Sequence, residues 1–350
     1  MMLENWMGLY AFNLLINSIL SFFTTLGLTQ LVIFIFKIHH PRLKTFLWML
    51  PILKLGLDPF LYNFQDWAIL QWINPLEVTE GTRMFSLGLS FADGIPFSTI
   101  QLRLFDHLTF TMADLIALSL NASILKGILL GVGAISCLSV IRYAYKNFQA
   151  SAHFKKCVAH ASMHQRPVFN ARLNDKLIKN RVEILTSNRE IIPCACGIFK
   201  KKIYFPLNLA DTLSQTQYEA ILGHELDHLV WYDGLWRLIA YLVCHVFWWV
   251  PTRRWMNHLE QIQEIACDDS ILGLDMLSLD LASAILDSYK QAKHDSPLMI
   301  SHLQGNRFLS KRFGRMMEAP SMEKKKLSIY KICMIGVLSF GIFFSRFWIF

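Results

Sequence analysis

Two histidines four residues apart, His224 and His228, stand in the stretch "GHELDHLVWYDG" over residues 223–234. On a helix this spacing projects both imidazoles from one face, where they can take adjacent corners of a Zn²⁺ tetrahedron. Glu225 follows the first histidine. From there its carboxylate can reach an attacking water without being a ligand, take a proton from it and later pass that proton to a leaving amine. The chemistry this implies is metal-assisted hydrolysis of a peptide bond. The alternative is a pair of histidines that share a helix face by chance.

A tetrahedral site for catalysis needs a third protein ligand. Downstream, "EQIQEIACDDSIL" (260–272) holds Glu264 and Asp268 one helical turn apart. On a second helix Glu264 can reach the metal while Asp268 sits behind a ligating imidazole, fixing its tautomer and orientation. Glu264 also reads as a solvated helix carboxylate, because Glu260, Asp268 and Asp269 crowd the same stretch. Asp233 reads either as a further supporting carboxylate or as part of a helix terminus near Gly234. Cys267 reads as a small buried hydrophobe. Cys194 and Cys196 have one residue between them, unlike the usual zinc-ligand spacing, so a second zinc site is not expected there.

The elements that must hold these groups are legible around them. "LSQTQYEAILGHELDHL" offers Ser214 as an N-cap with Gln217 three residues on, a capping box that opens the histidine helix. "RVEILTS" (181–187) and "KKKIYFP" (200–206) have strand character and flank "IIPCACGIF", whose Pro and Gly mark a turn. Between the histidines and Glu264 lies the apolar run "LWRLIAYLVCHVFWWV" (235–250). A full membrane crossing there would put Glu264 on the far side of the bilayer. At 1.5 Å per residue, His228 to Val250 climbs roughly 33 Å and Pro251 to Glu264 returns roughly 20 Å. The expectation is a membrane-associated helical hairpin near 235–264 that turns at Pro251. His245, within it, reads as a packed or interfacial histidine.

The whole chain is apolar and basic. Of 350 residues, 53% are hydrophobic, and the net charge is +8, more apolar than the roughly 45–50% usual in soluble domains. Residues 11–36 carry no charge, long enough for a transmembrane helix. Further spans fit 45–64, 115–141 and the C-terminal 327–350. Segment 57–112 holds six acidic residues against two arginines, while 146–202 holds twelve Lys/Arg against three acids. Positive charge collects on the cytoplasmic side, so 57–112 is expected outside and 146–202 inside. Membrane topology thus accounts for the basic charge, and direct nucleic-acid binding is not expected. Seven scattered cysteines show no disulfide framework and suit a reduced compartment.

The residues quoted above resemble the membrane metallopeptidases of the BlaR/MecR antirepressor family. "IPCACGIFKKKIYFPLNL", "GHELDHLVWYDGLWRL", "FWWVPTRRW" and "QEIACDDSIL" follow in that family's order, and "LSKRFGRMM" (309–317) is similar to the basic segment before its last membrane helix. The resemblance implies a zincin with one catalytic Zn²⁺ held by His224, His228 and Glu264, Glu225 as general base, four membrane helices and a cytoplasmic target. The family's sensing members carry an outer penicillin-binding domain after the last helix. This chain ends at Phe350 and is expected to lack it.

The fold class expected is therefore a mainly α integral membrane protein, with about four transmembrane helices and a cytoplasmic α+β zincin-like metallopeptidase domain. Its parts are an N-terminal membrane region over 1–142, the peptidase domain over 143–326 and the C-terminal helix over 327–350. The expected location is the inner (cytoplasmic) membrane, with the site facing the cytoplasm. Expected partners are the lipid bilayer, a cytoplasmic protein substrate such as a transcriptional repressor, and a separate sensor protein. Alternatives are a processing or quality-control peptidase like the HtpX and CAAX-protease group, or an inactive membrane scaffold that retains the helix.

Overall fold

Ser214 opens the histidine helix as its sequence predicts. The Gln217 main-chain N–H donates to Ser214 Oγ at 3.2 Å, and the Ser214 N–H donates to Gln217 Oε1 at 2.9 Å, satisfying two of the donors that a helix start leaves open. The computed structural model describes residues 2–62, 85–89, 100–104, 108–111, 122–163, 166–188, 192–295, 306–318 and 335–339.

In chain order, α1 (Met2–Ile35) and α2 (Pro41–Tyr62) come first. Strands β1 (Phe85–Leu89), β2 (Ile100–Leu104) and β3 (Leu108–Thr111) then form an antiparallel sheet within the segment expected outside. Helix α3 (Ala122–Cys157) follows. A second sheet contains β4 (Ser162–Met163), β5 (Glu183–Ser187), β6 (Cys194–Cys196) and β7 (Lys202–Pro206), with α4 (Ala171–Lys179) between β4 and β5. The remaining helices are α5 (Leu207–Thr212), α6 (Gln215–Val230), α7 (Asp233–Val246), α8 (Arg253–Ser270), α9 (Ser278–Asp295) and α10 (Asn306–Glu318). The described chain is mostly helical with a small sheet.

The predicted spans at 11–36 and 45–64 fall on α1 and α2. Of the third, at 115–141, residues 115–121 lie outside the described residues and 122–141 fall on α3, which continues past Ile141 as one helix to Cys157. Most of 327–350 lies outside the described residues. Among the described residues no helix is long and apolar enough to cross a membrane.

The second sheet runs in the order β4-β5-β7-β6. β5 and β7 are parallel, pairing Leu185 with Tyr204, and β6 returns antiparallel along β7, pairing Ala195 with Ile203. The return is made at Gly197, whose φ of +96° suits a residue without Cβ. A Cβ there would lie 2.0 Å from the Lys200 carbonyl oxygen. Gly197→Ala is accordingly expected to cost about 1–3 kcal/mol in urea unfolding, because strain and clash act together.

One core surrounds the histidine helix, and a second lies between α2 and α8. Ile203 and Phe205 of β7, Leu173 and Leu177 of α4, and Leu281 of α9 enclose Tyr218, Leu222 and Leu226 of α6. On the other side Trp48, Met49, Ile52 and Leu55 of α2 pack against Trp255, Met256, Leu259 and Ile262 of α8. The apolar run 235–250 makes the 14-residue α7, followed by a turn around Pro251 and the return of α8. Fourteen residues rise roughly 21 Å, short of the roughly 30 Å hydrocarbon core, so the hairpin brings Glu264 back to the histidines.

Candidate metal centre

α6 presents His224 and His228 one turn apart, with ring centroids 5.1 Å from each other and planes at 86°. α8 lays Glu264 across them. Its Oε2 is 3.5 Å from His224 Nε2 and its Oε1 is 3.6 Å from His228 Nε2. The structure thus brings together the three residues expected to bind metal. Donors held by one tetrahedral Zn²⁺ at about 2.0–2.1 Å would stand roughly 3.3–3.4 Å apart. The N, N, O donor set and its convergence fit such an ion.

Behind each imidazole stands an aspartate, and behind each aspartate an arginine. His224 Nδ1 lies 3.1 Å from Asp268 Oδ1, at ion-pair distance but off-line for a hydrogen bond. Arg312 of α10 donates to both Asp268 oxygens, Nε at 2.8 Å and Nη2 at 2.7 Å. His228 Nδ1 is 2.8 Å from Asp233 Oδ2. Arg42 of α2 donates through Nη1 to Asp233 at 2.8 and 2.9 Å, and through Nε to Asp227 at 3.1 Å.

Asp268 is where its spacing from Glu264 predicts. Asp233 is both a helix terminus and a supporting carboxylate: Tyr232 takes the left-handed conformation (φ 54°), α7 starts at once, and its first residue turns back onto His228. The three arginines around the centre, Arg42, Arg237 and Arg312, were not among the expected site residues. Only "LSKRFGRMM" carried a signal, as a basic segment of the resemblance. Arg42 is 185 residues from Asp227, a separation that spacing does not reveal.

The electrostatics follow from this packing. Burial disfavours the His224 imidazolium, but Asp268 and Glu264 beside it prevail and push its pKa up to about 10. Burial would likewise raise Glu264, yet His224, His228, Arg312 and Arg237 hold it well below the ordinary carboxylate range. Arg237 Nη2 donates to Glu264 at 2.9 Å, and Arg312 Nη1 lies 3.3 Å from its other oxygen. These contacts orient Glu264 towards the two imidazoles.

Cys267 is a competing third donor. The ligand atoms of His224, His228 and Cys267 lie within 4.8 Å of one another, close enough to hold a metal. Its sulfur, however, stands 3.2 Å from His228 Nδ1, the nitrogen turned away from Glu264, and accepts from Arg42 Nη2 at 2.9 Å. Burial pushes its thiol well above the usual range, and the thiolate is the metal-binding form. Glu264, unlike Cys267, faces the Nε2 atoms of both histidines.

Glu225 lies beside β6, within electrostatic reach of His224, His228 and Glu264. Burial raises its pKa above the ordinary carboxylate value, His224 and His228 pull it down, and a main-chain hydrogen bond from Ala195 supports the charged form. Cys194 and Cys196 lie on the β6 face opposite Ala195. His245 takes no part: its Nδ1 is 2.7 Å from Ser139 Oγ of α3.

Residues 108–315 match the family described as BlaR1 peptidase M56. The chain belongs to that family. This peptidase match takes in both histidines, Glu225, Glu264, Asp268 and Arg312, and Arg42 lies outside it. Membership makes the chain a peptidase of a metallopeptidase family, in agreement with a histidine cluster able to hold a metal. No curated protein matches the chain.

Proposed function

We propose that this M56 peptidase is a zinc-dependent endopeptidase, associated with the membrane, that cuts a cytoplasmic protein such as a repressor in regulated signalling. The observation that carries the reading is the convergence of His224 Nε2 and His228 Nε2 on the two oxygens of Glu264. When bound there, zinc would serve as a Lewis acid that polarises the peptide carbonyl and acidifies the attacking water.

The protein's own residues do the rest. Glu225 takes the proton of the attacking water and delivers it to the leaving amine nitrogen; its half-buried carboxyl, raised in pKa, suits a group that must accept and return a proton. Asp268 and Asp233 hold the imidazoles with Nε2 towards Glu264. Strand β6 ends the described sheet, with β7 as its neighbour there. An extended substrate chain pairing along this edge would lie beside Glu225.

Membrane association is supported by apolar side chains on the outside of α1, α3 and α7. Phe34 is 79% exposed and Leu130, Leu138, Ile141 and Phe148 each more than 60%, with Leu238, Leu242 and Val246 beside them on α7. Patches of this kind mark lipid or protein contact. The basic stretch 146–202 supports a cytoplasmic site. A separate sensor protein would supply the activating signal.

Metal analysis tests the reading. Purified wild type is expected to hold one zinc per chain, and His224→Ala or Glu264→Ala to lose it. N-terminal peptide mapping of cells carrying wild type or Glu225→Ala should then reveal peptides found only with wild type. Wild type without stoichiometric zinc, or identical peptide maps, would sink the proposal.

A further inference from the structure

The geometry points to Arg42 as a positioning residue for the metal centre, through which the N-terminal helical pair holds the ligand His228 in place. This rests on the zinc-site reading above and extends it to a part of the chain outside the peptidase match.

Arg42 is 8% exposed and lies near the start of α2. Its guanidinium spends every edge on the centre: Nη1 on both oxygens of Asp233, Nε and Nη2 on Asp227, and Nη2 also on Cys267 Sγ. Its plane lies over the Trp231 ring, 5.5 Å from the centroid. Nη1 is shared by both Asp233 oxygens while Nε and Nη2 close on Asp227 Oδ2, so the planar guanidinium fixes two carboxylates relative to each other, which a point charge does not. Asp233, 2% exposed, is therefore held by Arg42 on one side and passes that constraint to His228 Nδ1 at 2.8 Å on the other.

The opposite histidine has the matching arrangement, Arg312 to Asp268 to His224, supplied from α10. Each imidazole is thus set by a helix remote in sequence. Arg42 has firm backing, because α2 also packs along α8, which carries Glu264. Trp255 Nε1 of α8 donates to the Trp48 carbonyl of α2 at 3.0 Å, and Trp48, Ile52 and Leu55 fill the interface. Any displacement of α2 along α8 must move Asp233 and, with it, His228.

The test measures zinc affinity of the full chain in detergent micelles by chelator competition, with the Co²⁺ absorption spectrum as a report on ligand geometry. Arg42→Met and Asp233→Asn are each expected to weaken zinc binding about 10–100-fold, the usual range for groups that support a ligand. Because Arg42 acts through Asp233, the double variant should be little weaker than either single one. Arg42→Lys, which keeps the charge but cannot span both aspartates and is the safer variant to fold, should fall in between and shift the Co²⁺ bands. Asp227→Asn, which weakens the hold on Arg42 but leaves the Asp233 contact to His228 in place, should lower zinc affinity less than Asp233→Asn does.

Equal affinity in wild type and Arg42→Lys, or multiplicative losses in the double variant, would overturn the assignment. So would an Asp227→Asn effect as large as that of Asp233→Asn, the mark of a general packing role. Wild type with no bound zinc would instead strike the parent proposal, so the two failures are distinguishable.

Discussion

Replacing Glu225 with glutamine lowers proteolytic turnover by about 10²–10⁴-fold, the range typical of losing a general base, while bound metal stays at the wild-type level. The two outcomes separate because Glu225 reaches the site without being one of the three groups proposed to hold the metal. His224 and His228 turn their Nε2 atoms to Glu264, whereas the Glu225 carboxyl turns to the Ala195 main chain on β6. Glutamine keeps the size and the acceptor oxygen for that main-chain bond but cannot take up a proton. Single-turnover cleavage of a substrate found by peptide mapping, with metal content measured on the same sample, checks both halves. Retained turnover would remove Glu225 from the proton path. Metal lost together with activity would make it a structural carboxylate.

Arg312→Met is expected to produce the largest loss of stability, about 3–5 kcal/mol, the cost of removing one partner from a buried pair. Arg312 is 8% exposed, forks onto both oxygens of Asp268 and approaches Glu264 at 3.3 Å. Methionine fills much of the volume but leaves two buried carboxylates facing each other across His224. The neighbouring Arg315, which binds Asp269 by a second fork with contacts of 3.2 and 2.7 Å, keeps α10 docked but cannot reach the deeper acids. Adding Asp268→Asn removes one of the stranded charges and should restore much of the stability without restoring zinc affinity. Denaturant unfolding of the chelator-treated variants, beside zinc competition, separates these effects. An Arg312→Met chain as stable as wild type would mean that Asp268 and Glu264 find compensation elsewhere.

Local chemistry made part of this site readable. The four-residue interval of His224 and His228, the adjoining Glu225 and the capping box at Ser214 all depend on helix periodicity, which is written directly in spacing. The interval between Glu264 and Asp268 works the same way, and α8 places one carboxylate on the Nε2 side and the other on the Nδ1 side of His224. The strands at 183–187 and 202–206 were equally legible from their β-branched and aromatic content. Asp233 was harder. Its neighbour Gly234 suggests a helix terminus, and only the left-handed Tyr232 shows that the chain reverses there and aims Asp233 at His228.

What the sequence determined by itself, then, is the helix faces that carry His224 with His228 and Glu264 with Asp268, because residues one turn apart are neighbours whatever the rest of the chain does. The tertiary structure decided which carboxylate meets which nitrogen, that Cys267 packs behind His228 while Glu264 lies in front, and that Arg42 and Arg312 close the circle from the two ends of the chain. Contacts between α2, α8 and α10 bring these groups together. They depend on how apolar faces such as Trp48 with Trp255 dock, and no local period records that choice.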